Sequence, residues 1–270
     1  DYPDYEATKK ALREACDAFL DELGAWAHAC VDRYADAPPT DAHDQLTYTT
    51  GWEPYMLARG DERVLRFLRT VQRRVPEHFT NKGLWRHGYW RMQEAHHGTE
   101  HFELFLGFVA RLGRATEVTT RQLLDATEHL GNWSDAVPPW FDETTGLFYS
   151  LFFGADGAGD DGGVELNMPD HLRCATLLVL SYELTGERKY LGLADRYAGQ
   201  WARAIADEDA PSLPVALCRD GVVRDRGAFD DRTYRTFAGM AGTLEDDLDR
   251  AENILASGGV QLMLRLGQLT

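Results

Sequence analysis

One ending recurs three times along the chain, and it restricts the fold more than any other feature. Tyr55-Met-Leu-Ala-Arg-Gly60 runs into Asp-Glu-Arg, Phe108-Val-Ala-Arg-Leu-Gly113 into Arg-Ala-Thr, and Tyr182-Glu-Leu-Thr-Gly186 into Glu-Arg-Lys-Tyr. Each is an apolar helix, a glycine, and the polar start of a second helix. Glycine supplies the left-handed cap that ends one helix, and the charged residues after it open the next. The repeating unit is therefore a helical hairpin. The glycines are 53 and 73 residues apart. The longer interval absorbs an insertion over residues 132–165. The tail from Gln261 to Thr270 looks like a fourth copy cut short.

The rest of the chain follows the same period. Leu12, Ala15, Phe19, Leu20, Leu23, Trp26, Cys30 and Tyr34 fall at helical intervals across residues 6–34. Further helices are expected over 44–59, 61–74, 97–112, 116–131, 168–185, 187–207 and 247–268. Short β pieces are expected at 147–153 and 213–223, with a Gly/Asp-rich loop at 154–163. The first helix of each pair is apolar on most sides, as in Leu177-Leu178-Val179-Leu180, and the second carries charge on one face. That implies an inner ring of helices surrounded by an outer one. The expected class is all-α, an (α/α) toroid of helical hairpins in one domain over 1–270. About three and a half hairpins are countable, so the ring reads as an incomplete (α/α)6 barrel within a longer chain. An open solenoid is the structural alternative.

Composition narrows the function. With 44 acidic and 28 basic side chains the net charge is -16, which opposes binding to nucleic-acid phosphates. No apolar run approaches the length of a membrane span. The four cysteines do not fix a redox compartment. Cys16 and Cys30 lie about 21 Å apart along one helix and cannot bridge each other. Localisation and oligomeric state stay open, and no cofactor is implied.

Candidate site residues come from the hairpin register. Counting back 16 positions from each terminating glycine reaches Asp44, His97 and Asp170. In a toroid of hairpins these inner-helix starts converge at one end of the ring, so the three should surround one pit. An aspartate there could equally be only an N-cap. The densest polar and aromatic stretch, 85–101, lies at the second mouth. It contributes Trp85, Tyr89 and Trp90 as flat faces for a sugar ring. It also brings Arg86, His87, Arg91 and His96, a local reversal of charge suited to an anionic ligand. A surface loop is the plainer alternative. At the third mouth Asn167 and His171 flank Asp170, and Pro169 fits the first helical turn. His97-Gly-Thr-Glu-His101 also matches the H-x-x-E-H pattern of inverted zinc proteases. Those are sheet-containing proteins, unlike this chain, so no metal is assigned.

Tyr182-Glu-Leu-Thr-Gly-Glu-Arg-Lys-Tyr190 resembles the hairpin junction of the six-hairpin glycosidase-like proteins. Within that group, His43-Asp44 and Asp170 resemble the unsaturated glucuronyl hydrolases. There, two aspartates near inner-helix starts act on a uronyl sugar. The resemblance implies a glycoside hydrolase for acidic, uronate-containing oligo- or polysaccharides. Asp170 would do the acid/base work, with Asp44 as second carboxylate, His97 orienting substrate or sharing protons, and Glu94 as a further acid. The same fold hosts other chemistry. A polysaccharide lyase would use His97 or Tyr89 as base, with Asn167, Arg86 or Arg91 on the uronate carboxylate. A non-catalytic carbohydrate-binding or scaffold protein is the third possibility.

Overall fold

The computed structural model describes residues 4–40, 44–225 and 246–270, with the description of residues 44 and 45 limited to the backbone. The chain begins with a long helix, α1 (Tyr5–Tyr34). A broken inner helix follows: α2 (Asp44–Thr47), a 3-10 turn at Tyr48–Trp52, and α3 (Glu53–Arg59). Gly60 ends it in the left-handed conformation, with φ 60°. Asp61 then opens α4 (Glu62–Asn81) by accepting from the Arg63 and Val64 amides at 2.8 and 3.1 Å. The second junction is built the same way. α5 (Ala95–Glu100) passes through a π-helical turn, His101–Leu106, into α6 (Gly107–Arg111). Gly113, with φ 65°, precedes α7 (Glu117–Leu130). At the third, α8 (Leu172–Thr185) ends on Gly186 at φ 76° before α9 (Arg188–Ile205). The hairpin reading thus holds at all three glycines.

Burial separates the two rings. α8 buries Leu172, Cys174, Ala175, Leu177, Leu178 and Val179 around most of its circumference. α4 buries one face only, with Val64, Leu68, Val71, Val75 and Phe79 among the residues inside. α8 packs on α9, α7 and α5, while α1 packs on α3 and α4. The first half of α1 touches little: from Tyr5 to Phe19 every residue but Lys9 is exposed.

Two features differ from expectation, and the β structure expected at 147–153 is found within a larger set of paired strands. The last helix is two, α10 (Asp247–Ala256) and α11 (Gly259–Leu269), because Gly258 turns left-handed at φ 74°. The stretch before α5 is not a loop. β1 (Trp85–Arg86) and β2 (Tyr89–Trp90) form a hairpin whose two turn residues, His87 and Gly88, both have positive φ. The 132–165 insertion carries paired strands. β4 (Phe141–Asp142) pairs with β5 (Leu147–Phe148). β6 (Phe152–Gly154) pairs with β7 (Gly157–Ala158) and with β3 (Gln93–Glu94), so the insertion is stitched to the residue that begins α5. A last hairpin, β8 (Ala216–Cys218) with β9 (Gly221–Val223), lies where β structure was expected.

Candidate active site

The site forms where β3 hands over to α5 and the start of α8 faces it. Glu94 is 1% exposed and caps α5: one carboxylate oxygen accepts from the His96 amide at 3.0 Å, the other from the His97 amide at 2.5 Å. It also holds His97 Nδ1 at 2.9 Å. Burial pushes the Glu94 carboxyl above its ordinary range, against the pull of the two amides. Glu94 therefore supports His97 from beneath.

His96 lies between two carboxylates on different helices. Its Nδ1 is 3.4 Å from Asp170 Oδ1, and its Nε2 is 2.8 Å from Glu100 Oε1, one turn along α5. The hydrogen bond to Asp170, then that to Glu100, raises the His96 pKa to about 10, against burial and the charge of Arg173. At neutral pH it is an imidazolium. Arg173 pairs with Glu103 on the π turn at 3.2 Å and donates to the Ala256 carbonyl at 3.2 Å, tying α8 to α10. Burial raises the Glu103 pKa in spite of that arginine.

Asp170 belongs to the 3-10 turn Pro169–His171 that leads into α8. The residue that caps this turn is Met168, whose amide donates to His171 Nδ1 at 3.1 Å. Asp170 faces His96 and solvent, with its side chain 16% exposed. His97 is 35% exposed at the same mouth. The backbone of Asp44 opens α2, which packs on the π turn after α5. Its side chain, and all of His43, lie outside the described residues.

Other residues expected to bind substrate do not face this opening. Trp85, Tyr89 and Trp90 are 6%, 0% and 2% exposed. Tyr89 stacks on Phe102 with centroids 5.2 Å apart, and Trp90 meets Phe79 edge-on at 5.0 Å. Their faces are spent on the core, so they are not free platforms. Arg86 and Arg91 both bind Asp156 in the β6–β7 turn, the second at 2.8 Å. They clip the insertion to the β1–β2 hairpin. His87 lends its carbonyl to His129 Nε2 at 2.7 Å. Asn167 is fully buried and bridges the Phe148 amide and carbonyl, at 3.0 and 2.8 Å, to the Tyr197 hydroxyl at 3.0 Å. His171 is fully buried beneath the Ser150 carbonyl, 3.2 Å away, and burial lowers its pKa to about 4.

The two histidines of the zinc-like pattern lie in different surroundings, His97 at the rim and His101 in the core. His101 is 2% exposed, set among Trp85, Phe102 and Phe105. Among the described residues no group of three His, Cys, Asp or Glu could hold a metal. Glu100 belongs to the site through His96, and the four-residue spacing between them on one helix face is the signal that exposes the pair.

No family model matches the chain, and no curated protein matches it. Among solved structures, an unsaturated glucuronyl hydrolase from Streptococcus agalactiae is similar with a TM-score of 0.53 at 13% identity. The match covers 92% of this chain and 64% of the hydrolase, so the chain spans a little under two thirds of that structure's length. The likeness is one of fold: the chain is built as an all-α, α/α toroid of helical hairpins.

Proposed function

We propose that the protein is a glycoside hydrolase acting on an acidic, uronate-containing oligo- or polysaccharide, with Asp170 transferring the proton and Asp44 as second carboxylate. The observation that carries this reading is the placement of Asp170. It stands partly exposed at an inner-helix start, 3.4 Å from the His96 imidazole of another hairpin. Glycosidic hydrolysis needs a proton-transferring carboxyl group held in place, usually with a second one across the bond. His97, anchored by Glu94, would contact the sugar at the rim. The likeness in fold to an unsaturated glucuronyl hydrolase supports the substrate class.

The lyase alternative has less support. Its candidate base Tyr89 and its candidate amide Asn167 are fully buried, and Arg86 and Arg91 are bound to Asp156. Only His97 remains for it. One assay separates the two. Incubated with an unsaturated uronyl disaccharide, the hydrolase is expected to abolish the near-ultraviolet absorbance of the C4–C5 double bond. A lyase acting on intact uronate polymer would create that absorbance. Asp170→Asn is expected to reduce turnover by orders of magnitude with the melting temperature near wild type. Activity retained in that variant, or no change in any uronate oligomer, would sink the proposal.

A further inference from the structure

Two groups at this site are left without a role by the hydrolase reading. His96 is not needed to contact sugar, and Glu100 is buried beneath it. Their geometry has a direction. Glu100, 5% exposed, lies under the imidazole and meets Nε2 at 2.8 Å. On the opposite side of the ring, Nδ1 faces the more exposed Asp170 at 3.4 Å. A buried carboxylate on one nitrogen fixes the ring's orientation and favours its charged form; the other nitrogen then acts on the next group. Glu94 and His97 beside it, Arg173 and Cys174 on α8, His101 and Glu103 on the π turn, and His171 next to Asp170 are the other charged and titratable groups that the neighbouring elements bring near it. Arg173 opposes the imidazolium but is itself paired with Glu103. The β6 strand brings only Phe152, Phe153 and Gly154.

We infer that His96 is the positioning residue of this site: braced by Glu100, its ring holds the Asp170 carboxylate in one orientation. The inference rests on the hydrolase reading for its catalytic meaning. The brace itself can be measured without substrate. A cation at hydrogen-bond range favours the ionised partner, and an ordinary surface pair would not fix its direction. Asp170 keeps that orientation only while the His96 ring carries its second proton. Activity is therefore expected to fall on the alkaline side as His96, whose pKa its two carboxylate partners raise, loses that proton.

The test uses the full chain with two readouts. NMR titration of the His96 imidazole, assigned by its loss in His96→Gln, is expected to show a midpoint well above 8 in the wild type. It is expected to fall by at least one pH unit in Glu100→Gln and again in Asp170→Asn. A midpoint near 6.5, unmoved by either substitution, overturns the inference. Glu100 is buried, so thermal unfolding is followed in parallel; if Glu100→Gln does not fold, Asp170→Asn alone decides this readout. On a uronyl disaccharide, Glu100→Gln is expected to move the alkaline limb of kcat down by at least one pH unit. His96→Gln is expected to reduce kcat at least tenfold with KM within threefold. A limb that stays in place while kcat falls would mean that Glu100 only supports the fold, and the inference fails. Absence of activity on every uronide, with the NMR shifts as expected, counts against the hydrolase reading alone.

Discussion

His101 sits one residue beyond Glu100 and points the other way. Its imidazole is packed among aromatic rings, and neither ring nitrogen has a hydrogen-bond partner among the described residues. Burying such a group without partners costs about 1–3 kcal/mol. Burial also lowers its pKa to about 3. Between about pH 6.5 and 3 the unfolded chain binds a proton that the folded chain does not, so stability falls as the pH drops through that window. His171, lowered to about 4, acts in the same direction. His101→Phe is therefore expected to stabilise the protein by about 1 kcal/mol at pH 7.5. The gain should be larger at pH 5, by up to about 2 kcal/mol. Urea unfolding at the two pH values checks this, and an equal or negative change at pH 5 refutes it. The sequence shows four histidines in one short stretch and cannot sort them. His96 and His97 face the mouth, while His101 begins a π turn. The extra residue of such a turn shifts every later side chain around the axis, and no hydrophobic period announces it. Glu100 lies before that turn, so its pairing with His96 one helical turn back was open to reading from the spacing alone.

The hairpin junctions were legible because each depends on a single local requirement, a left-handed residue followed by a polar helix start. Gly60, Gly113 and Gly186 all meet it. The strands were less so: β1 and β2 have two residues each, too short for an alternating pattern. The final helix was read through Gly258 because periodicity continues on either side of it. α4 offers a sharper lesson. Pro76 lies inside it and has no amide to donate to the carbonyl of Gln72, four residues back. The Gln122 side chain from α7 donates to that carbonyl instead, at 3.2 Å. Its oxygen accepts in turn from Gln72 Nε2 at 2.8 Å, so two outer helices are joined at the proline. Gln122→Ala is expected to cost about 1–2 kcal/mol, since it strands the Gln72 carbonyl and leaves the Gln72 side-chain amide with Thr119 alone as acceptor. In a Pro76→Ala background, where the helix supplies its own donor, the cost should fall by at least half. A double-mutant cycle by chemical unfolding measures the coupling. Additive effects would mean that the proline and the glutamine are independent.

At the scale of the whole molecule, charge was a poorer guide than packing. The cationic stretch at 85–91 suggested an anionic ligand in a chain of net charge -16. Arg86 and Arg91 spend that charge on Asp156, holding the insertion in place. What composition cannot show is which apolar residues the folded arc uses. Tyr5, Leu12, Phe19 and Trp26 follow helical spacing as faithfully as any core residue, yet they are 61%, 64%, 57% and 47% exposed. Periodicity marks a face; only the neighbours decide whether it is covered. The other end of the arc differs. Leu262 and Leu266 on α11 are 3% and 5% exposed, on a helix packed against α8 and α9. Truncation at the two ends should therefore have opposite consequences. Leu12→Ala and Phe19→Ala are expected to change stability by no more than about 0.5 kcal/mol. Leu262→Ala and Leu266→Ala should each cost about 2–4 kcal/mol through lost burial and the cavity left behind. Because α8 begins at the site, the α11 variants should also lower the temperature at which activity is lost. Chemical unfolding of the four variants, with activity followed against temperature, checks both halves. Comparable losses at Leu12 and Leu262 would mean that the exposed half of α1 is covered in solution.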